Sequence, residues 1–368
     1  MTENRVAEDW VDVGAAEELA QAPLREIVIE RRRLALSYKD GAFAAVDGLC
    51  NHRGGPLGEG RLDGDYIVCP WHYWKFHRAT GLGEPGYEGD AVPAYGVKVE
   101  SGRVLVNRIA RSRRTHLPHA PHPVGRTPER GPGKPRVVGL STTVMTEGQE
   151  RFSTSEHLLA QALDHAAALG HETRLIRLRD LRFRACEGFY SKSAQACTWP
   201  CSITQMDPDD QLDRVYEALV HWGDVFIVAT PIRWGNPSSL YFKMVERLNC
   251  IQNQIVLANR VLLQNKTVAA IITGGQDNVQ GAAGQMLGFF AELGCHFPPF
   301  PYIAHTRGWS AEDMERNVAL VRDSAELKQA SRELTERALE LSHRLLATAE
   351  EPLVSRAGRK GNPLPHDK

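Results

Sequence analysis

The chain has 368 residues, 42% hydrophobic and 24% charged, and its 44 basic and 45 acidic side chains leave a formal net charge of −1. This balance gives no reason to expect a nucleic-acid partner, and the length exceeds the roughly 250–300 residues at which single cores stop growing, so more than one domain is expected. The opening MTENRVAEDWVDVG lacks an apolar signal core and no stretch approaches about 18 apolar residues, which predicts a cytoplasmic protein without a membrane partner. The seven cysteines then read as metal ligands or free thiols rather than disulfides.

Residues 1–109 contain short apolar segments, Glu26–Ile29, Leu34–Tyr38, Ala42–Val46, Tyr66–Val68, Val97–Val99 and Val104–Val106. Turn signals at Lys39-Asp40-Gly41, Asp63-Gly64-Asp65 and Ser101-Gly102-Arg103 separate some of them, which predicts a small antiparallel all-β domain. Within it Cys50-x-His52 is followed, sixteen residues later, by Cys69-x-x-His72. Two Cys and two His suit zinc as well as an iron–sulfur centre. Zinc fingers, however, pair like with like in each knuckle, whereas here each knuckle supplies one thiolate and one imidazole. That mixture suits a [2Fe–2S] cluster whose irons take different ligands.

With the Gly-rich flank Gly54-Gly55-Pro56-Leu57-Gly58 and the Pro70-Trp71 insertion, this stretch resembles the Rieske ferredoxin family over roughly the first hundred residues. The resemblance implies Cys50, His52, Cys69 and His72 as cluster ligands. It also implies the lower-potential group, because Leu57 and Trp71 stand near where high-potential members carry a bridging disulfide. His52 and His72 would bind iron through one ring nitrogen and expose the other to solvent. His77 reads as a surface or packing histidine.

Residues 110–135, with Arg111, Arg113 and Arg114 among Pro and Gly, read as a linker able to reach on the order of 80 Å if extended. From 136 to 350 strands alternate with helices, predicting an α/β doubly wound parallel sheet of flavodoxin-like order. The strands are Val137–Leu140, Arg174–Leu178, Val225–Ala229, Val268–Ile272 and one near Tyr302-Ile303. The helices are placed at 155–169, 209–222, 238–250, 279–293 and 324–348. Residues 351–368 are expected to be a mobile tail.

In such sheets ligands bind beyond the carboxyl ends of the strands. The first loop offers Ser141 and then Arg151, Ser153, Thr154 and Ser155 at a helix start, a setting that attracts phosphate. The third offers Pro231, Ile232, Arg233, Trp234, Gly235 and Asn236, a Gly/Pro/Asn-rich loop that lets backbone approach a flat ring. The fourth offers Thr273, Gly274 and Gly275. Together they resemble the NAD(P)H-dependent FMN reductase family and its iron–sulfur flavoprotein relatives, implying FMN as cofactor, NAD(P)H as co-substrate and a homo-oligomer, dimer or tetramer. Iron–sulfur flavoproteins carry a Cys-rich insertion near Cys186, Cys197 and Cys201. Here Phe189 and Lys192 replace the second and third expected cysteines, so these thiols read as degenerate remnants or free thiols, and Phe189 with Tyr190 reads as a candidate for the rim of the flavin pocket. Cys250 and Cys295 read as buried small residues.

NAD(P)H gives up two electrons at once and a [2Fe–2S] cluster passes one, so a flavin is the natural converter. The leading expectation is an NAD(P)H-dependent oxidoreductase running from NAD(P)H through FMN and cluster to a partner oxygenase or other metalloenzyme. A small organic acceptor reduced at the flavin, such as a quinone or nitro compound, is the alternative, and a non-enzymatic redox sensor ranks last. No catalytic side chain stands out.

Overall fold

The computed structural model describes residues 9–118, 120–130, 133–145, 152–274, 278–308 and 310–348. Arg151, Gly275 and the tail from Glu351 therefore lie outside the described residues. The chain forms two compact units, one of Met1–Ala120 with Phe189–Ala196, the other of Pro121–Gly188 with Cys197–Lys368.

The first unit is antiparallel β. Strands β1 (Trp10–Ala15), β2 (Leu24–Ile29), β3 (Arg32–Lys39), β4 (Ala42–Asp47), β8 (Ala94–Glu100) and β9 (Arg103–Ala110) form one sheet in the order β1-β9-β8-β4-β3-β2. The small strands β5 (Arg61–Asp63), β6 (Tyr66–Val68) and β7 (Lys75–His77) form another. In the predicted turn Asp63-Gly64-Asp65 only Gly64, at 60°, has positive φ, while the other two are two-residue connections with both central residues at positive φ, Asp40 and Gly41 at 50° and 79°, Ser101 and Gly102 at 50° and 76°. This conformation matches the right-handed strand twist of a hairpin. One core cluster gathers Leu34, Leu36, Ala45, Tyr95, Val104 and Val106. A second gathers Val46, Leu57, Ile67, Phe76 and Val92 and includes Cys50 and Cys69.

The start of the expected linker is hydrogen-bonded rather than free. Thr115 exchanges backbone hydrogen bonds with Ala91 (2.9 and 3.0 Å), and Arg114 donates to Asp47 (2.7 Å) and to Asn51. In the second unit Arg130 donates to the buried Asp224 (2.7 Å).

The second unit is a parallel sheet of β10 (Val137–Ser141), β11 (Thr173–Arg177), β12 (Val225–Pro231), β13 (Thr267–Gly274) and β14 (Tyr302–Thr306), ordered β11-β10-β12-β13-β14. This is the flavodoxin-like order. Strands β10, β12 and β13 are buried along their whole length, as expected where both faces of a parallel sheet are covered. Helix α1 (Thr154–Ala168) packs its Leu158, Leu159, Ala162, Leu163 and Ala166 with Leu334, Ala338 and Leu339 of the last long helix, Ala325–Ala347.

The helix expected at 238–250 breaks near Leu248 into α2 (Ser239–Arg247) and α3 (Asn249–Ala258), and a helix over Ala311–Asp323 was not anticipated. The last residue of α2, Arg247, is held in a buried ion pair. Arg247, 1% exposed, forks onto Asp210 at 2.7 and 3.0 Å and also donates to Thr204, to the Arg184 carbonyl and to Cys201 Sγ. Removing one partner of such a buried pair costs about 3–5 kcal/mol.

Among the described residues, no helix is long and apolar enough to cross a membrane.

Candidate metal centre and flavin cradle

Cys50 follows β4 and Cys69 follows β6, and the two loops they open are closed in the same way. Cys50 N–H donates to Gly55 O (2.9 Å) and Gly54 N–H to Cys50 O (2.9 Å), while Cys69 N–H donates to Trp74 O (2.8 Å) and Tyr73 N–H to Cys69 O (3.1 Å). The fourth residue after each cysteine has positive φ, Gly54 at 74° and Tyr73 at 62°. Glycine takes this conformation freely, whereas tyrosine does so under strain.

The loops bring like ligands together. Nδ1 of His52 lies 2.9 Å from Nδ1 of His72, and the buried thiols of Cys50 and Cys69 are hydrogen-bonded to each other. That contact, helped by the Trp71 and His72 backbone N–H groups, outweighs burial and draws the Cys69 pKa down to about 7, while Cys50 as donor is pushed up. A Cys pair and a His pair are what two irons with different ligands require. Among the described residues, no three His, Cys, Asp or Glu side chains are grouped around a single ion. Gly55 makes the approach possible, since a Cβ there would lie 2.8 Å from Cys69 Sγ and 3.0 Å from the Trp71 ring. The donor set and its spacing fit a [2Fe–2S] cluster held by Cys50, His52, Cys69 and His72.

One expectation needs correction. His52 is half-buried and stacks on Trp74 at 5.0 Å and 6°, but His72 is only 3% exposed and its Nε2 meets the Ala196 carbonyl at 2.7 Å. Burial lowers the His72 pKa against the opposing effect of that carbonyl. His77 accepts from the Ala79 and Thr80 backbone (3.3 Å each), a local structural role.

In the second unit the loops after β10, β12 and β13 are knitted together at the carboxyl edge of the sheet. Ser238, which caps α2, donates to Thr142 O at 2.6 Å. Thr154 and Thr273 hydroxyls meet at 2.7 Å, and Ile232 N–H donates to Thr273 O at 2.8 Å. Ser153 caps α1, with Thr154 and Ser155 in its first turn. Ser141 donates to Glu156 at 2.6 Å.

Arg233–Asn236 closes on itself by two backbone hydrogen bonds, 2.7 and 3.0 Å, with Trp234 and Gly235 at φ 50° and 71°. Asn278 Nδ2 steadies the turn through Gly235 O at 2.7 Å. This tight turn leaves Trp234 89% exposed at the tip. Hydroxyls at a helix start and an uncovered indole on a Gly-bearing turn fit the phosphate and ring of FMN.

Sequence reasoning missed Glu156, which pairs with Arg177 (2.7 Å) and Arg179, although Ser153-x-x-Glu156 is a capping-box signature. It also missed Asn278 and Arg247, whose roles arise only from tertiary contacts. Cys186, Cys197, Cys201, Cys250 and Cys295 are free.

Comparison with known proteins assigns both halves. The profile of the Rieske [2Fe-2S] domain matches residues 9–94 and that of NADPH-dependent FMN reductase matches residues 137–310. The ferredoxin component of the naphthalene 1,2-dioxygenase system of Pseudomonas aeruginosa is 30% identical over 28% of this chain and 98% of its own length. The ferredoxin component of the alkene monooxygenase system of Xanthobacter autotrophicus is 32% identical over 27% of this chain and 80% of its own length. A crystal structure of RosB with a bound 8-demethyl-8-formylriboflavin-5'-phosphate intermediate covers 63% of this chain and 92% of its own at 16% identity, with a TM-score of 0.45. The chain thus belongs to the Rieske [2Fe-2S] ferredoxin family through its first hundred residues and carries a domain matching NADPH-dependent FMN reductase over residues 137–310, which makes it an NAD(P)H-dependent oxidoreductase that uses a [2Fe–2S] cluster, FMN and NAD(P)H.

Proposed function

We propose that this chain carries electrons from NAD(P)H through FMN to its own cluster and on to a partner oxygenase or other metalloenzyme. The observation that supports this reading is the presence, on one polypeptide, of two facing ligand pairs for a cluster and a three-loop cradle for a flavin. FMN supplies the exchange between two-electron and one-electron steps. The chain's own residues hold and orient: Cys50 and Cys69 give thiolates and His52 and His72 imidazole nitrogens. Ser141, Ser153, Thr154 and Ser155, with Arg151, take the phosphate side of the flavin. Pro231–Asn236 and Thr273–Gly275 border its ring.

Ferredoxin components of dioxygenase and monooxygenase systems among the relatives support an oxygenase as acceptor. We further propose a cytoplasmic homo-oligomer, with the division into 1–109, a 110–135 linker and 136–350 as its functional boundaries. Anaerobic titration of the reconstituted protein with NADPH tests the reading. Loss of the flavin absorbance together with appearance of the reduced-cluster EPR signal is expected, whereas a bleached flavin beside a cluster that stays oxidised contradicts it.

A further inference from the structure

Residues Phe189–Ala196 fall inside the stretch matched by the FMN reductase profile, yet they fold as part of the first unit. They form a single helical turn, Phe189–Lys192, and a 3-10 turn, Ala194–Ala196, closed by Ser193 N–H to Phe189 O (3.2 Å) and Ala196 N–H to Ser193 O (2.9 Å).

Three residues of this segment contact the ligand loop Cys69–Trp74. Ala196 O meets His72 Nε2 at 2.7 Å. Lys192 Nζ donates to Pro70 O at 2.7 Å. The Phe189 ring stands edge-on to His72 at 5.5 Å and to Tyr73 at 6.0 Å. Phe189, Ala196 and His72 are all buried.

The carbonyl can only accept, so Nε2 of His72 carries the proton and Nδ1 keeps its lone pair. That Nδ1 is the nitrogen that faces His52. Metal-binding histidines are commonly oriented by such a bond from the other ring nitrogen, and its loss typically weakens the site 10–100-fold. Here the acceptor lies 124 positions further along the same chain, and with Phe189 and Lys192 it closes the outer edge of the ring.

We propose that Phe189–Ala196 is a resident docking element for the metal centre. It fixes the His72 ring in the tautomer that presents Nδ1 to the metal, and it occupies the His72 edge so that no external protein partner can dock there. A partner oxygenase must then approach the cluster by another face. This last consequence rests on the electron path proposed above; the orienting and covering role does not.

Acylation by diethyl pyrocarbonate, in which Nε2 gives up its proton to solvent, bonds to a carbonyl carbon of the reagent and expels ethyl carbonate, needs reagent access to Nε2 and so tests the element without NAD(P)H or flavin reduction. Oxidised holoprotein is treated at pH 8 with its cluster followed by visible absorbance, and His72 modification is followed by peptide mass spectrometry. We expect His72 to react at least tenfold more slowly in the wild type than in the Phe189→Ala/Lys192→Ala protein, with Phe189→Tyr/Lys192→Ala intermediate between them. Equal rates in wild type and double variant overturn the proposal. If the double variant does not retain its cluster, Lys192→Met, which keeps the aromatic contact, takes its place in the same comparison and is expected to react at least threefold faster than wild type. Equal rates there overturn the proposal as well.

Discussion

Gly55 sits where any side chain would meet Cys69 Sγ and the Trp71 ring at 3.0 Å or less. Gly55→Ala should therefore push the two ligand loops apart, and we predict loss of most of the cluster EPR signal after reconstitution while the flavin still binds. Trp234 makes the opposite case, because at 89% exposure it contributes little to packing. Trp234→Ala should leave the unfolding midpoint unchanged but weaken FMN binding by about tenfold, the value of one aromatic stack of about 1.4 kcal/mol, as measured by flavin fluorescence titration. The cluster ligands were legible in the sequence because a metal accepts few side-chain types and their mixture is diagnostic. The covering of His72 was not, since it depends on a carbonyl that no side-chain pattern announces. Phe189 and Lys192, read in the sequence as departures from a cysteine motif, touch the Pro70–Tyr73 loop together with Ala196.

At the scale of elements, the start of α1 is tied to β10 and the end of β11 by Glu156, which accepts from Ser141, Arg177 and Arg179. Burial raises the Glu156 pKa, but the hydrogen bonds from Arg179, Ser141 and Arg177 outweigh it and hold the group at about 2 against an ordinary 4.5. A depressed carboxylate stabilises the fold above its unfolded pKa and loses that contribution as pH falls toward the folded value. Glu156→Gln should therefore destabilise the second unit by on the order of 1–2 kcal/mol near neutrality, allowing for partial solvent screening. The gap between the wild-type and variant unfolding midpoints should close as pH drops from about 4.5 toward about 2; a constant gap across that window would show that charge is not the cause. Most strands followed from apolar runs and turn residues, and the flavodoxin-like order of the second unit from its alternation of strands and helices, whereas β1, β5, β7 and the sheet order of the first unit did not. The buried Arg247–Asp210 pair at the end of α2 did not either, because it joins segments far apart in sequence.

For the whole molecule, length was enough to predict more than one domain, and two independent motif sets pointed to the families matched over residues 9–94 and 137–310. The placement of Phe189–Ala196 in the first unit was beyond sequence reading, since local propensity says nothing about which core a short segment joins. The central claim is that FMN and the cluster exchange electrons within one chain. Rapid anaerobic mixing of holoprotein with NADPH, followed by absorbance and freeze-quench EPR at several protein concentrations, tests it most directly. The account predicts flavin reduction first and then cluster reduction at a rate independent of protein concentration; a cluster that stays oxidised, or one whose reduction rate rises in proportion to protein concentration, would contradict it.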